Sequence, residues 1–542
     1  MEAPGLGRRV PTGRSARHSM QGCLLCLSKP LSAILTNTCM KPISHAAALL
    51  LALGLAAPLA VTAQKKPASG AKPTTQKAGN AEAAIRESDI KRDLFTLGGD
   101  HFRGREGGTL DELKASAWLV EQIRAIGLQP AGDDGTYFQW FHLQRTRLTK
   151  ASKLSIGTHQ LKPNQDALIF APTTYAVTAP LVYAGTGTAA ELAKIDVKGK
   201  AVALLFSGNP TADMSFRRYL SQVLRDKSAE LMKAGAAAVV FVADSRAQVV
   251  YEHWGHTYER GRYGLPGDPN TKMIDSAPII LLPETAKDWV QQAGQQFSTD
   301  LKVESFLYPS VNIVAKAPGT DAQLKKEYVL FSTHQDHDGV RQAVAGDSIW
   351  NGADDNATGC AALLAIMRAF KQQPARRSAL FVYHGAEERG LLGSRYYSAN
   401  PTVPATAIVA VLNAEMMGRN APDSAALLGS IAPHLNSSDL VKTALAANQA
   451  GPKFKLDTEW DKATHPEGWY FRSDHLPYAR LGIPAIMYTS LLHPDYHTPR
   501  DEPASINYPK LTRMTQWMYL TGWAVANRTA APAREPGFKL ER

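Results

Sequence analysis

The chain has 542 residues, more than one ordinary core can use and enough for two or more domains. Its composition, 44% hydrophobic and 20% charged, is ordinary for a soluble globular protein. The net charge of +11 is no nucleic-acid signal. Arg8, Arg9, Arg14, Arg17, Lys29 and Lys41 stand against Glu2 in residues 1–63, Lys65, Lys66, Lys72 and Lys77 follow, and no basic stripe interleaved with aromatics remains.

Lys41, an apolar run over 46–61 and a small-residue site ending at Ala63 read as a secretory signal peptide. At about 16 residues the run is short for a membrane span, so no stable anchor is expected after cleavage and the product is expected in the periplasm or outside the cell. A leader that begins some forty residues in suggests that translation starts at Met40 or Met20 rather than Met1. Cys23, Cys26 and Cys39 precede the cleavage site, and Cys360 alone would survive it, which excludes an internal disulfide. Residues 64–80, rich in Lys, Pro, Ser, Thr and Gly, read as a flexible linker.

Order is expected from Ala81. Helices are predicted over 88–97 and 113–126, the second from the 3–4 spacing of Leu113, Ala117, Val120 and Ile123 and the stop at Gly127. HFRGREGGT between them is a Gly/Arg loop, either a lip of a site or a surface turn. Over 148–304 the texture changes to short strands (APLVYAG, GKAVALLFSG, AAAVVFVAD, APIILL) with one helical patch near 228–234. This stretch reads as an inserted domain; His253 and His256, spaced i, i+3, are assigned to a surface loop rather than to a metal. Residues 81–147 and 305–527 then form one split domain, and 528–542 a frayed tail.

The chemistry gathers after position 328. YVLFS and ALFVY, two β-type runs, each end on metal-grade ligands, where open α/β sheets place their sites. The first leads to His334 and Asp336, with His337 and Asp338 as alternatives; a His can bind a borderline metal and a nearby carboxylate can orient it. Between the runs lies GADDNATG, whose Asp354 or Asp355 could bridge two cations, although a calcium-type loop or plain turn reads similarly. The second run leads to Glu387 and Glu388: one could bind metal while the other faces a water as general base. AIVAVLNAEMMG ends on Glu415, and PAIMYTS is followed by His493, Asp495 and His497.

The ordered set THQDH, GADDNATG, GAEERGLLGS, LNAEMMG, SDHLPYARLGIPA and YHT resembles the co-catalytic, dinuclear zinc aminopeptidases, the family of bacterial leucyl aminopeptidase, aminopeptidase Y and glutamate carboxypeptidase II. IDVKGKAVALL, KSAELMKAGAAAVVFV and APIILL resemble a protease-associated (PA) domain. The resemblance implies an α/β fold with a mixed, mostly parallel central sheet flanked by helices, and a mainly-β PA insertion. It also implies two Zn2+ per chain, one held by His334 and Glu415, the other by Glu388 and His497, with Asp355 as the bridge and a cis bond to Asn356. Asp336 would orient His334, Glu387 would be the base, and Tyr496 would donate to the oxyanion. Asp474 and His475 match a motif near the substrate pocket. Glu415 departs from the family, where many members have Asp.

These readings imply a secreted aminopeptidase acting on peptide substrates, with no nucleic-acid partner and no implication for oligomeric state. Three alternatives stand beside it. A carboxypeptidase of the same family would need convergent arginines, a glutaminyl cyclase-like transferase would lack a full second ligand set, and a non-catalytic PA-domain binding protein would lack the base.

Overall fold

A computed structural model describes residues 80–211, 214–268 and 277–540. The leader, the alternative starts, the upstream cysteines and nearly all of the linker lie outside these residues, as do the side chains of His253 and His256.

The larger sheet contains β1 (Phe138–Leu148), β2 (Arg262–Gly264), β3 (Val303–Ala317), β4 (Tyr328–His334), β5 (Ser378–His384), β6 (Ile408–Glu415), β7 (Ser424–Leu428), β8 (Lys455–Asp457) and β9 (Ala485–Thr489). Their order is β8-β7-β9-β6-β4-β5-β3-β1-β2, with the short strand Gln129–Pro130 also on β3. The centre, β5-β4-β6-β9, is parallel, whereas β3 on β5 and β7 on β9 are antiparallel. Parallel strands are covered on both faces, which explains why β4 and β5 read as continuous apolar runs rather than alternating ones. Alternate residues still go to opposite cores. Phe331, Phe381 and Leu412 enter one with helices Glu87–Leu97, Leu110–Ile126, Thr358–Gln372 and Tyr508–Asn527. Leu330, Leu380, Val382 and Val411 meet Tyr397 and Tyr478 in the other.

The registers place His334 beside His384 and Glu415 beside Thr489, so the carboxyl ends of the four parallel strands share one edge. Helix Leu110–Ile126 starts earlier than its apolar spacing indicates, because the Thr109 hydroxyl accepts from Glu112 N at 3.4 Å and so caps it.

The chain leaves and re-enters this sheet through one antiparallel ribbon, with β1 paired to β3 from Phe138↔Ile313 to Leu148↔Val303. Between those crossings, strands within residues 153–301 build a separate eight-stranded sheet around parallel Ala201–Leu205 and Ala238–Val242. Two readings of this region need correction. The patch at 228–234 is the end of a longer helix, Phe216–Lys233, whose Leu220, Leu224, Ser228 and Leu231 form one buried stripe on an otherwise polar segment. The stretch read as a loop around His253 is helix Ser245–Arg260, started by Asp244, whose carboxylate accepts from Ala247 N at 2.8 Å. Residues 262–264, also inside the expected insertion, pair with β1 of the larger sheet.

The C-terminal tail is not frayed where it leaves helix Tyr508–Asn527. Buried Arg377 donates to Val525 O and Thr529 O at 3.2 Å, Ser437 Oγ donates to Ala533 O at 2.6 Å, and Ser438 Oγ donates to Glu535 at 2.7 Å. No helix among the described residues is long and apolar enough to cross a membrane.

Candidate metal centre

The site is assembled on the shared edge of β4, β5, β6 and the segment after β9. His334 is the last residue of β4 and Glu415 the last of β6, while Glu387 and Glu388 follow β5 after a short turn. The acidic loop, a turn over Ala353–Ala357 with a cis Asp355–Asn356 bond, leads into helix Thr358–Gln372. Gly352 before it has φ +59°, and a Cβ there would stand 2.3 Å from the His337 ring, so the loop needs glycine at this approach.

His334 Nε2 lies 3.2 Å from Asp355 Oδ1, 3.4 Å from Glu415 Oε1 and 3.9 Å from Glu387 Oε2. His497 Nε2 lies 3.2 Å from Asp355 Oδ2 and 3.2 Å from Glu388 Oε1. Asp355 therefore turns one oxygen to each group. The donor atoms of His334, Asp355 and Glu415 all lie within 4.8 Å of one another, and so do those of His337, Asp355, Glu388 and His497. Donors bound tetrahedrally at about 2.0–2.2 Å would stand roughly 3.3–3.6 Å apart, close to these separations. Mixed imidazole and carboxylate donors suit zinc, and the set fits a metal.

Asp354, the other acid of the loop, turns away. Its Oδ1 accepts from Gly418 N at 2.6 Å, and its Oδ2 is 3.5 Å from His493 Nε2. Asp495 pairs with Arg419 and Arg500 instead. The Asp336 carboxylate, expected to orient His334, stands 3.9 Å from the ring's Nδ1 and makes its hydrogen bonds elsewhere. The Asp336 backbone carbonyl meets His334 Nδ1 at 3.1 Å, while the carboxylate accepts from Glu387 N at 2.8 Å and Glu388 N at 3.3 Å. It is buried beneath the turn that carries both glutamates, and those N–H groups have first claim on it. The carboxylate behind a histidine ring is found at the other group, where Asp338 Oδ2 is 3.2 Å from His497 Nδ1.

Several supports carried no signal in the sequence, because each works across the fold. Arg105, from the Gly/Arg loop, is fully buried and donates to the carbonyls of Leu97, Gln335, Asn351 and Gly352, tying the β4 turn to the acidic loop. Asp501 accepts from Asp354 N at 3.0 Å and Asp355 N at 3.1 Å. Ser473 Oγ donates to Glu415 Oε2 at 2.6 Å and accepts from Asn413 Nδ2 at 2.7 Å, which fixes the longer Glu side chain. From the insertion, Arg260 donates to Asp338 O at 2.8 Å and pairs with Glu106 at 2.9 Å. Ala386, Met416 and His497 all have φ near +50°, a left-handed strain of about 1–3 kcal/mol each that lies beside or within the ligand set.

Tyr496 packs on His497 with ring centroids 4.0 Å apart, and its hydroxyl accepts from Arg472 Nη2 at 3.0 Å. Asp474 is buried near His334 and Glu415, where burial first and the neighbouring acids next push its carboxyl up to about 7, against the pull of His334. His475 packs edge-on against Tyr470, with centroids 4.8 Å apart.

The electrostatics follow from so many acids in one place. Burial raises Glu387 most, and Glu388, Asp474 and Glu415 raise it further, against the pull of His334, so its carboxyl stands well above the ordinary range. Burial opposes the charge on Asp355 and Glu388 too, but the histidines outweigh it and hold both below the ordinary range. Burial alone would lower His497; Glu388 and Asp338 overcome it and push the ring up to about 10. The two glutamates are adjacent yet driven in opposite directions.

The sequence model of peptidase family M28 matches residues 312–521. Aminopeptidase YwaD of Bacillus subtilis (strain 168) is 26% identical over 351 residues, 63% of this chain and 66% of that protein. The protein YfbL of Escherichia coli (strain K12) is 30% identical over 236 residues, 38% of this chain and 68% of that protein. The chain thus spans about two thirds of the length of these relatives. The solved structure of BSAP, a zinc aminopeptidase from Bacillus subtilis, shares the fold with a TM-score of 0.55 at 19% identity, covering 84% of this chain and 99% of that one.

Proposed function

The chain belongs to peptidase family M28, and from that premise we propose that it is a zinc aminopeptidase with two Zn2+ per chain that removes N-terminal residues from peptides. The observation that carries the reading is Asp355, with one oxygen toward His334 and the other toward His497, beside a glutamate that is drawn into neither group. His334, Asp355 and Glu415 would hold one zinc; Asp355, Glu388 and His497 would hold the other.

When bound, such a pair polarises the scissile carbonyl and brings a bound water toward a neutral pKa. Glu387 takes the proton of the attacking water and passes it to the leaving amine. Its Oε2 stands 3.9 Å from His334 Nε2, on the ligand side of the β5 turn and within reach of such a water. Its backbone N–H on Asp336 keeps the carboxylate aimed from the β5 turn. Tyr496 donates its hydroxyl proton to the oxyanion; the donation from Arg472 to the same oxygen leaves that proton free. Asp474 shapes the buried floor beside His334. Export by the leader of residues 1–63, and a PA-type role for the insertion, belong to the same proposal.

Metal analysis joined to hydrolysis of aminoacyl anilides beside N-blocked peptides tests it. Two zinc ions per chain and cleavage of the free-amine substrates are expected. Cleavage of blocked substrates alone would overturn the aminopeptidase reading and favour the carboxypeptidase.

A further inference from the structure

Resting on the reading that the centre holds two metal ions, we propose that His337 is a fourth protein ligand at the His497 position, so that the two positions are unequal. One is closed by four protein donors: His337, Asp355, Glu388 and His497. The other has three among the described residues, His334, Asp355 and Glu415, and remains open.

The geometry is specific. His337 is fully buried; its Nδ1 faces Glu388 Oε1 at 2.9 Å without hydrogen-bond alignment, and its Nε2 has no hydrogen-bond partner among the described residues. A buried imidazole normally gives or receives at least one such bond. His337 Nδ1 lies 2.9 Å from Glu388 Oε1 and 3.9 Å from Asp355 Oδ2, yet Glu388 Oε1 is also without an aligned hydrogen-bond partner. Donor atoms that crowd together without pointing at each other point at a common third centre. The His337 and His497 rings meet edge to face with centroids 5.2 Å apart, and each brings a nitrogen into the same group of atoms.

The surroundings hold His337 in place. His337 N donates to Arg105 O at 3.2 Å, and Arg105 is itself clamped by four carbonyls. The missing Cβ of Gly352 leaves room for the ring on the other side. Two residues separate His337 from His334, and the β4 turn sends one ring to each side of Asp355.

Four protein donors make a closed site and three leave a position for exchange. The His497-side ion should therefore be the one retained, and the His334-side ion the one that leaves. The chain stripped of metal and reloaded with one equivalent of zinc provides the test, by X-ray absorption at the zinc edge. Two imidazoles on that first ion are expected, since it should sit with His337 and His497. A single imidazole would overturn the proposal, because the two positions would then differ by no extra histidine. Dialysis of the fully loaded chain against a weak chelator should remove one ion and leave one. His337→Ala, and His337→Gln as a conservative second variant, should lose that preference, with the retained ion bound about 10–100-fold more weakly or beyond and its imidazole count reduced to one. Unchanged retention in either folded variant also overturns it. A chain that binds no zinc at all would instead sink the metallopeptidase reading, and the two failures are distinguishable.

Discussion

The two sheets of this protein are built alike at their centres and differ at the ends of their strands. Ala201–Leu205 and Ala238–Val242 in the insertion are parallel, apolar and almost wholly buried, as β4 and β5 are. In the insertion the chain leaves these strands through small and capping residues such as Asp244, which starts a helix. In the larger sheet it leaves them through buried His334, Glu387 and Glu415 and half-buried Glu388, all at one edge. A parallel core thus supplies the platform, and the residues just past it supply the chemistry. The cost differs accordingly. Burying so many carboxylates requires partners, which here are histidines, backbone N–H groups and the Ser473 hydroxyl, and in the proposed enzyme would also be cations.

The sharpest test of that contrast is Glu387→Gln. Activity should fall by about 10²–10⁴-fold while the zinc content measured by mass spectrometry is unchanged, because the substitution removes a base and not a ligand. Near-normal turnover with full metal would take Glu387 out of the mechanism. On the insertion side, Leu281→Ala empties part of a fully buried position in the apolar core against Leu204 and Phe241. It should destabilise by about 2–5 kcal/mol in urea unfolding, yet leave zinc content and peptide cleavage unaltered in the folded protein. A loss of metal in that variant would show that the two regions are more tightly coupled than their separate cores indicate.

Asp501→Asn probes the supports rather than the ligands. It replaces a buried carboxylate that receives the N–H groups of Asp354 and Asp355 with a group that offers one acceptor and two unwanted donors. Zinc affinity should drop by about 10–100-fold, read by competition with a chelator. The smallest effect concerns pH. Burial first, and then the charge of Asp336, raise the Glu112 carboxyl to about 8, against the N–H of Gly108, the hydroxyl of Ser310 and the N–H of Ala386. A carboxyl raised in the folded state favours folding when protonated. Its contribution is complete below the ordinary value of 4.5 and is lost as pH rises through about 8. Glu112→Gln should flatten the decline of the urea midpoint across that window, and an unchanged slope would assign the decline to other groups.

Much of the site was legible from residue order because its signals are local. A buried run with a ligand directly after it places that ligand at a strand end whatever surrounds it, so His334, Glu387, Glu388 and Glu415 could be named from their own neighbours, while the choice of Asp355 over Asp354 and of His497 over His493 came with the family resemblance. The helix at 216–233 was harder to read. Only Leu220, Leu224, Ser228 and Leu231 are buried on a segment otherwise polar, and the arginines near its start mask the period. The tail at 528–535 looked free because its anchors, Arg377, Ser437 and Ser438, lie some hundred residues or more away in the sequence.

By itself, then, the sequence determined the order of strands and ligands, the acidic loop and the family, since these depend on neighbours along the chain. Tertiary structure alone decided that the Asp336 carboxylate holds the glutamate turn while Asp338 backs His497, and that Arg105 and Asp501 brace the loop. It also decided that His337, three residues after a ligand, lies among the donors of the other group. Each of those assignments turns on a side chain's direction and on a partner distant in sequence, and side-chain direction is set by the packing of the whole edge.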